Sequence, residues 1–301
     1  MSRRRRRNIS SVVAVPTRGV AYHRELAVAS FALVFAAAVV RRPPQSDCPR
    51  GSLPAYAHND YLNARPLHDA LSLGFKGVEA DVFLVKGKLQ LGHERRAAVQ
   101  DGSLETEYLA PLREIVARCG TLTDDGQPFL LDLEIKEESR PTFDTLVAVL
   151  SRYPDLFSIG NGQPAESLSR APPVQAVLVG WYPPGFRDSA PVPLSRQARL
   201  LSSSGPPADA ADRGVGLISI DYEQTIGRRW QLPAHRRRWF AAIRATKALF
   251  PGQRIRAYHV PVNQHVYRRL LDAGVDLIGT LELVQTARLL SATPCCPQHG
   301  H

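Results

Sequence analysis

From residue 53 onward, short apolar runs alternate with stretches whose apolar positions recur every three or four residues. The runs over 54–58, 77–85, 129–136, 174–181, 215–222, 254–261 and 276–280 predict strands, and a weaker run over 198–202 makes an eighth. Helical spacing covers 66–73, 104–119, 141–153, 233–250, 263–273 and 282–290. The helix that carries Leu270, Leu271 and Ala273 runs into Gly274, a residue suited to the left-handed turn that closes helices. Strand-then-helix alternation over roughly 250 residues predicts an α/β fold, a (β/α)8 TIM barrel rather than an open sheet.

Two of these strands carry charge on one face. Side chains alternate along a strand, so Glu79 and Asp81 share one side while Val78, Ala80, Val82 and Leu84 share the other. In 129–136 the same device sets Asp132, Glu134 and Lys136 opposite Leu131, Leu133 and Ile135. With the apolar faces turned to the helices, five ionisable groups point at the barrel axis. Burying them uncompensated is very costly. A hard divalent cation, Mg²⁺ or Ca²⁺, answers that cost with oxygen ligands. Lys136 then offers a point charge suited to a phosphate oxygen. The turn Lys86-Gly87-Lys88 predicts a hairpin that folds His93 back over the barrel mouth. The stretch 182–214, rich in Pro, Ser, Ala and Gly, is too long for an ordinary connection and predicts a lid or a mobile surface loop.

Charge alters this picture less than its total suggests. The 301 residues carry a formal net charge of +10, but residues 1–50 hold ten arginines against Glu25 and Asp47. That is +8 in the leader, leaving about +2 for residues 51–301, so the charge gives no nucleic-acid face. The leader sets its arginines ahead of an apolar run over 26–40, the pattern of an export signal. At about 1.5 Å per residue the run spans roughly 22 Å, short of a ~30 Å hydrocarbon core. The expectation is a leader over 1–50, cleaved or serving as a short anchor, a barrel over 51–292 and a flexible tail over 293–301. The protein is expected to be exported, extracellular or membrane-associated with the barrel outside, and monomeric. Cys48, Cys119, Cys295 and Cys296 form no repeating framework; a link from Cys48 to the C-terminal pair is one staple, and metal binding by Cys295, Cys296, His299 and His301 an alternative.

His58-Asn59-Asp60-Tyr61, Pro66-Leu67 with Ala70-Leu71, Val78-Glu79-Ala80-Asp81-Val82 and Gly92-His93 together resemble the phospholipase-C-like phosphodiesterase superfamily. This superfamily includes the glycerophosphodiester phosphodiesterases, and the chain most nearly resembles its altered inheritance of mitochondria protein 6 family. The resemblance is densest over 54–94 and extends through Leu133-Glu134-Ile135-Lys136, Ser219-Ile220-Asp221-Tyr222 and 274–280. It implies Glu79, Asp81 and Glu134 as metal ligands, Glu134 rather than Asp132. It also implies His58 and His93 as the general acid and base that cleave a phosphodiester. Asn59, Lys136 and Tyr258 join them as candidate substrate contacts, Tyr258 as an aromatic floor. The implied substrate is a glycerophosphodiester or phospholipid head group, met at a membrane surface or free. Glycerophosphodiester phosphodiesterases commonly have His-Arg-Gly where this chain has His58-Asn59-Asp60, so one phosphate-clamping arginine is missing.

Plainer readings stand beside these. Glu94 is an alternative partner for His93, Lys136 a plain partner for Glu134, and Trp181 a core residue. His259, Arg228, Arg229 and Arg236 to Arg238 read as decoration of a solvated helix face or loop. The rival function is a non-catalytic barrel that binds phosphorylated head groups. A sugar-cleaving pair of carboxylates is a third reading, and it leaves both histidines without a role.

Overall fold

The computed structural model describes residues 48–98, 102–157, 172–188, 190, 193–212 and 214–292. Residues 1–47, where a leader is expected, and residues 293–301, with Cys295, Cys296, His299 and His301, lie outside the described residues. The strands are β1 (Ala55–Ala57), β2 (Gly77–Val85), β3 (Lys88–Leu91), β4 (Phe129–Ile135), β5 (Val174–Gly180), β6 (Ser195–Arg199), β7 (Val215–Asp221), β8 (Arg254–Tyr258) and β9 (Leu277–Thr280). The helices are α1 (His68–Ser72), α2 (Ala110–Cys119), α3 (Arg140–Leu150), α4 (Pro233–Leu249), α5 (Gln264–Asp272) and α6 (Leu283–Ser291).

Around the sheet the order is β1, β9, β8, β7, β6, β5, β4, β2, every neighbouring pair parallel. A β1–β2 pairing closes the ring, which makes a (β/α)8 barrel. β3 is the exception, antiparallel to β2 across a two-residue turn. Lys86 (φ 49) and Gly87 (φ 76) are both left-handed there, the geometry that matches strand twist in tight hairpins. The short seam between β1 and β2 opens a gap at the rim. β1 holds β2 only at Tyr56↔Gly77 and Ala57↔Val78, and further up β3 takes that edge from Val82↔Leu91 to Val85↔Lys88. His58, just beyond β1, and His93, just beyond β3, therefore arrive at one place on the rim.

Outward strand residues such as Val78, Ala80, Val82, Leu131 and Leu133 pack with Leu112, Phe143 and Leu146 from the helices into the main core. A separate cluster of Tyr56, Leu130, Val177, Leu217 and Leu277 plugs the barrel interior below the charged residues. Each fully buried Leu contributes about 1.5–3 kcal/mol, which offsets part of the cost of the polar layer above. Local signals agree with these elements. Ser139 caps α3 by accepting from Thr142 N–H, Asn263 caps α5 by accepting from His265 and Val266 N–H, and Gly274 follows α5 with φ 101. Residues 105–109 form a π-helical turn leading into α2.

Two expectations need correction. The weak strand runs over Ser195–Arg199, not 198–202, because its alternation Ser-Arg-Gln-Ala-Arg hides it from an apolar-run criterion. That strand also divides the stretch 182–214, which the sequence predicts as a lid or a mobile surface loop. Arg196 ties the returning segment down through Asp209 (2.6 Å) and Asp212 (3.0 Å). Cys48 bonds to Cys119 at the end of α2, not to the C-terminal pair. Gly51 N–H donates to the Leu122 carbonyl at 2.7 Å, which brings the two segments alongside. No helix among the described residues is long and apolar enough to cross a membrane.

Candidate active site

Strand register stacks the inward polar residues in two layers. Glu79 pairs with Asp132 and Ser219 with Arg256; one layer higher, Asp81 pairs with Glu134 and Asp221 with Tyr258. In the lower layer, Arg256 Nη1 donates to Asp132 Oδ2 at 2.7 Å and lies 3.8 Å from Glu79 Oε1. Its Nε donates to Ser219 Oγ at 3.1 Å, and Tyr56 OH donates to Asp132 Oδ2 at 2.8 Å. The guanidinium also lies 4.6 Å from the Tyr56 ring and 5.2 Å from that of Tyr258. Arg256 thus compensates part of the buried charge that the strand pattern by itself leaves entirely to a metal. The signal that could have revealed it is the alternation Arg254, Arg256, Tyr258 along β8. Asp132 Oδ2 is engaged by this arginine and by Tyr56, while Asp132 Oδ1 is buried without a partner.

Glu79 from the lower layer and Asp81 and Glu134 from the upper one each bring a carboxylate oxygen within 4.8 Å of the other two. Asp81 is fully buried; its Oδ2 accepts from Tyr61 OH at 2.8 Å and lies 3.1 Å from His93 Nδ1 and 3.2 Å from Lys136 Nζ. Its Oδ1 is buried without a partner. Lys136 reaches Glu134 Oε1 as well, at 3.1 Å. His58 Nε2 lies 3.3 Å from Glu79 Oε2, which also accepts from Asn59 N–H at 3.3 Å. The Tyr258 ring meets His58 edge-on, with centroids 5.8 Å apart. Glu94 pairs with Arg96, not with His93, and Trp181 packs against the main core.

Burial pushes the Glu79 carboxyl up to about 8; Arg256 opposes this, and Asp132, Asp81 and Glu134 add to it. Burial pulls His58 down to about 4, helped by the charges of Arg256, His259, His93 and Lys136. Burial disfavours the charge on Lys136, yet Asp81 and Glu134 hold its ammonium above the usual range. An all-oxygen donor set, crowded negative charge and an orphaned carboxylate oxygen are what a hard divalent cation binds, so these residues fit such an ion.

The supports come from the flanking loop. Asn59 is left-handed (φ 49), a conformation Asn tolerates, and this turns its N–H to Glu79. Asp60 is buried and anchors the loop: it accepts from Leu67 N–H at 2.5 Å, Tyr108 OH at 3.0 Å and Asn63 Nδ2 at 3.2 Å. Burial raises its carboxyl to about 6 against those hydrogen bonds. Gly180 (φ 73) ends β5 where a Cβ would meet Glu134 Cγ at 3.0 Å, so a larger residue would displace a candidate ligand. Tyr61, given no role by the sequence, joins Asp81 to His93: its hydroxyl lies 3.4 Å from the ring nitrogen. His259 lies in the exposed loop after β8, as one of the two expected settings has it, and stands on the rim beside His58, ring centroids 5.3 Å apart.

The fold is a closed (β/α)8 barrel whose rim gathers acids and imidazoles. Residues 50–155, from before β1 to beyond α3, match the family model of the AIM6-like phosphodiesterase domain, so the resemblance read from the sequence stands over that stretch. The chain is 28% identical over 149 residues to an altered inheritance of mitochondria protein 6 homolog from Arthroderma benhamiae, covering 42% of this chain. The matched part is 48% of that relative, so the chain spans about half its length. Among solved structures, it is similar to a glycerophosphodiester phosphodiesterase from Agrobacterium tumefaciens (15% identity, 79% of this chain and 98% of the other, TM-score 0.46). A phosphoribosyl anthranilate isomerase from Thermus thermophilus is similar too (12% identity, 79% and 98%, TM-score 0.40). Likeness at that level decides nothing about chemistry.

Proposed function

We propose that this protein is a metal-dependent phosphodiesterase that hydrolyses a glycerophosphodiester or phospholipid head-group ester by acid–base catalysis from His58 and His93. One observation carries the reading: Glu79, Asp81 and Glu134 converge, while His58 lies against the first and His93 against the second. Glu79, Asp81 and Glu134 would hold Mg²⁺ or Ca²⁺, which when bound supplies charge stabilisation to the phosphoryl oxygens. His58, held neutral by burial, takes the proton from the attacking water or substrate hydroxyl as the new P–O bond forms. Asp81 holds the His93 ring through Nδ1, and the ring's Nε2 gives a proton to the leaving alkoxide as the old P–O bond breaks. Lys136 and Asn59 border the same carboxylates, and Tyr258 floors the His58 side.

The test is hydrolysis of bis-p-nitrophenyl phosphate with and without chelator. Metal-dependent turnover supports the reading; no turnover together with retained binding of phosphorylated head groups supports a non-catalytic barrel instead. We also propose that the protein acts after export, at or near a membrane surface. The Cys48–Cys119 disulfide supports this, since such bonds persist in oxidising compartments. Fractionation of cells that make the full chain checks it, and a cytosolic barrel would refute it.

A further inference from the structure

A second carboxylate-held imidazole stands on the rim, and acid–base catalysis by His58 and His93 does not use it. His259 follows β8, and its Nδ1 lies 3.2 Å from Asp221 Oδ2 at the end of β7. Asp221 is itself locked in place. Its Oδ1 accepts from Gln224 N–H at 3.1 Å, and its main-chain carbonyl accepts from Thr225 N–H at 3.1 Å. With Nδ1 turned to Asp221, the ring's other nitrogen, Nε2, is left for a bound group. The backbone bears a cost to aim this ring: His259 is left-handed at φ 51, a conformation that disfavours any side chain and that collects at functional sites. The ring centroid lies 4.8 Å from that of Tyr258 and 5.3 Å from that of His58, and the side chain is 42% exposed. A group bound at His58 therefore meets an oriented ring nitrogen on its far side.

We propose that His259, aimed by Asp221, contacts the substrate: its Nε2 accepts a hydrogen bond from a hydroxyl of the alcohol esterified to phosphate, which makes this rim selective for polyol phosphodiesters. A phosphoryl oxygen has no proton to offer that nitrogen, whereas a glycerol-like hydroxyl has. A site built to bond a hydroxyl leaves its own polar group unpaired when the substrate lacks one, and this is how hydroxyl selectivity arises. The inference rests on the phosphodiesterase reading and names its substrate class.

The experiment compares kcat/KM for glycerophosphocholine, which carries free hydroxyls, with kcat/KM for bis-p-nitrophenyl phosphate, which carries none. The proteins are the full chain and its His259→Asn, His259→Phe and Asp221→Asn variants. Asn tolerates the left-handed backbone and Phe keeps the ring, so one of the two keeps the fold if the other does not. The ratio of the two values should fall about ten-fold or more in each variant, chiefly through KM for glycerophosphocholine. A ratio held within about two-fold, including an equal loss on both substrates, overturns the inference and leaves the phosphodiesterase reading intact. Wild-type turnover of bis-p-nitrophenyl phosphate alone overturns it in the same way. Wild-type protein inactive on both substrates sinks the phosphodiesterase reading and this inference with it.

Discussion

His93 turns its Nδ1 to within 3.1 Å of Asp81 Oδ2, although the two residues sit on opposite arms of the β2–β3 hairpin. The contact fixes which ring nitrogen faces the rim. Replacing His93 or His58 with Ala should lower kcat by about 10²–10⁴-fold each, with the unfolding midpoint nearly unchanged because neither ring lies in the core. Steady-state kinetics beside urea denaturation checks this. Wild-type rates in either variant would end the two-histidine mechanism.

Removal of the metal should be as damaging as removal of an imidazole. Dialysis against chelator should take phosphodiester turnover to background, and Mg²⁺ or Ca²⁺ should restore it. Asp81→Asn and Glu134→Gln should weaken titrated metal binding, read by calorimetry, before any effect on folding appears. A chelated enzyme that keeps its full rate contradicts the ligand assignment.

The buried Arg256–Asp132 pair, at 2.7 Å, makes a prediction about stability. Arg256→Met leaves the buried Asp132 without its counter-charge, held only by the Tyr56 hydroxyl, and breaking such a pair costs about 3–5 kcal/mol. Adding Asp132→Asn should recover part of that loss, since the stranded charge is then gone. A double-mutant cycle by urea unfolding measures the coupling, and strict additivity would show that the two groups do not interact.

Asp60 links stability to pH. Its folded carboxyl is raised to about 6 from an ordinary value of 3.8, so the folded state holds the proton more tightly than the unfolded one. Its contribution is therefore fully present below about pH 4 and is lost as pH rises through about 6. Relative to Asp60→Asn, the wild type should lose up to about 3 kcal/mol across that window. Denaturation curves at pH 4 and pH 7 decide it; a difference that grows with pH has the wrong sign.

The Cys48–Cys119 bond, with a sequence separation of 71, restricts the unfolded chain. Chain-entropy arguments put its contribution at about 4 kcal/mol. Reduction under non-denaturing conditions, or Cys119→Ser, should lower the unfolding free energy by that order. An unchanged midpoint after confirmed reduction would show that the bond does not constrain the barrel.

Much of this molecule is legible in the order of its residues. Seven strands and six helices follow from apolar periodicity, because periods near two and near 3.6 are local properties of the chain. The polar strand Ser195–Arg199 escapes that criterion, since its place depends on neighbouring strands and not on its own hydrophobicity. Glu79, Asp81, Glu134, His58 and His93 can be named because three short motifs over 54–94 and the alternating strand over 129–136 carry them. Asp221 is legible only as a strand-end candidate for the pocket lining; Arg256 and His259 cannot be assigned that way, because each gains its meaning from a partner on another strand.

Alternation along β2 and β4 by itself determined that acids would point to the barrel axis, since the pleat turns every second side chain to the same face. Tertiary structure decided which acid meets which base. Barrel closure sets Arg256 beside Asp132 across a sequence separation of 124 and His259 beside His58 from the far end of the chain. Electrostatic pairing acts over a few ångströms of space whatever the distance along the chain, and only the closed ring of strands brings those charges that near.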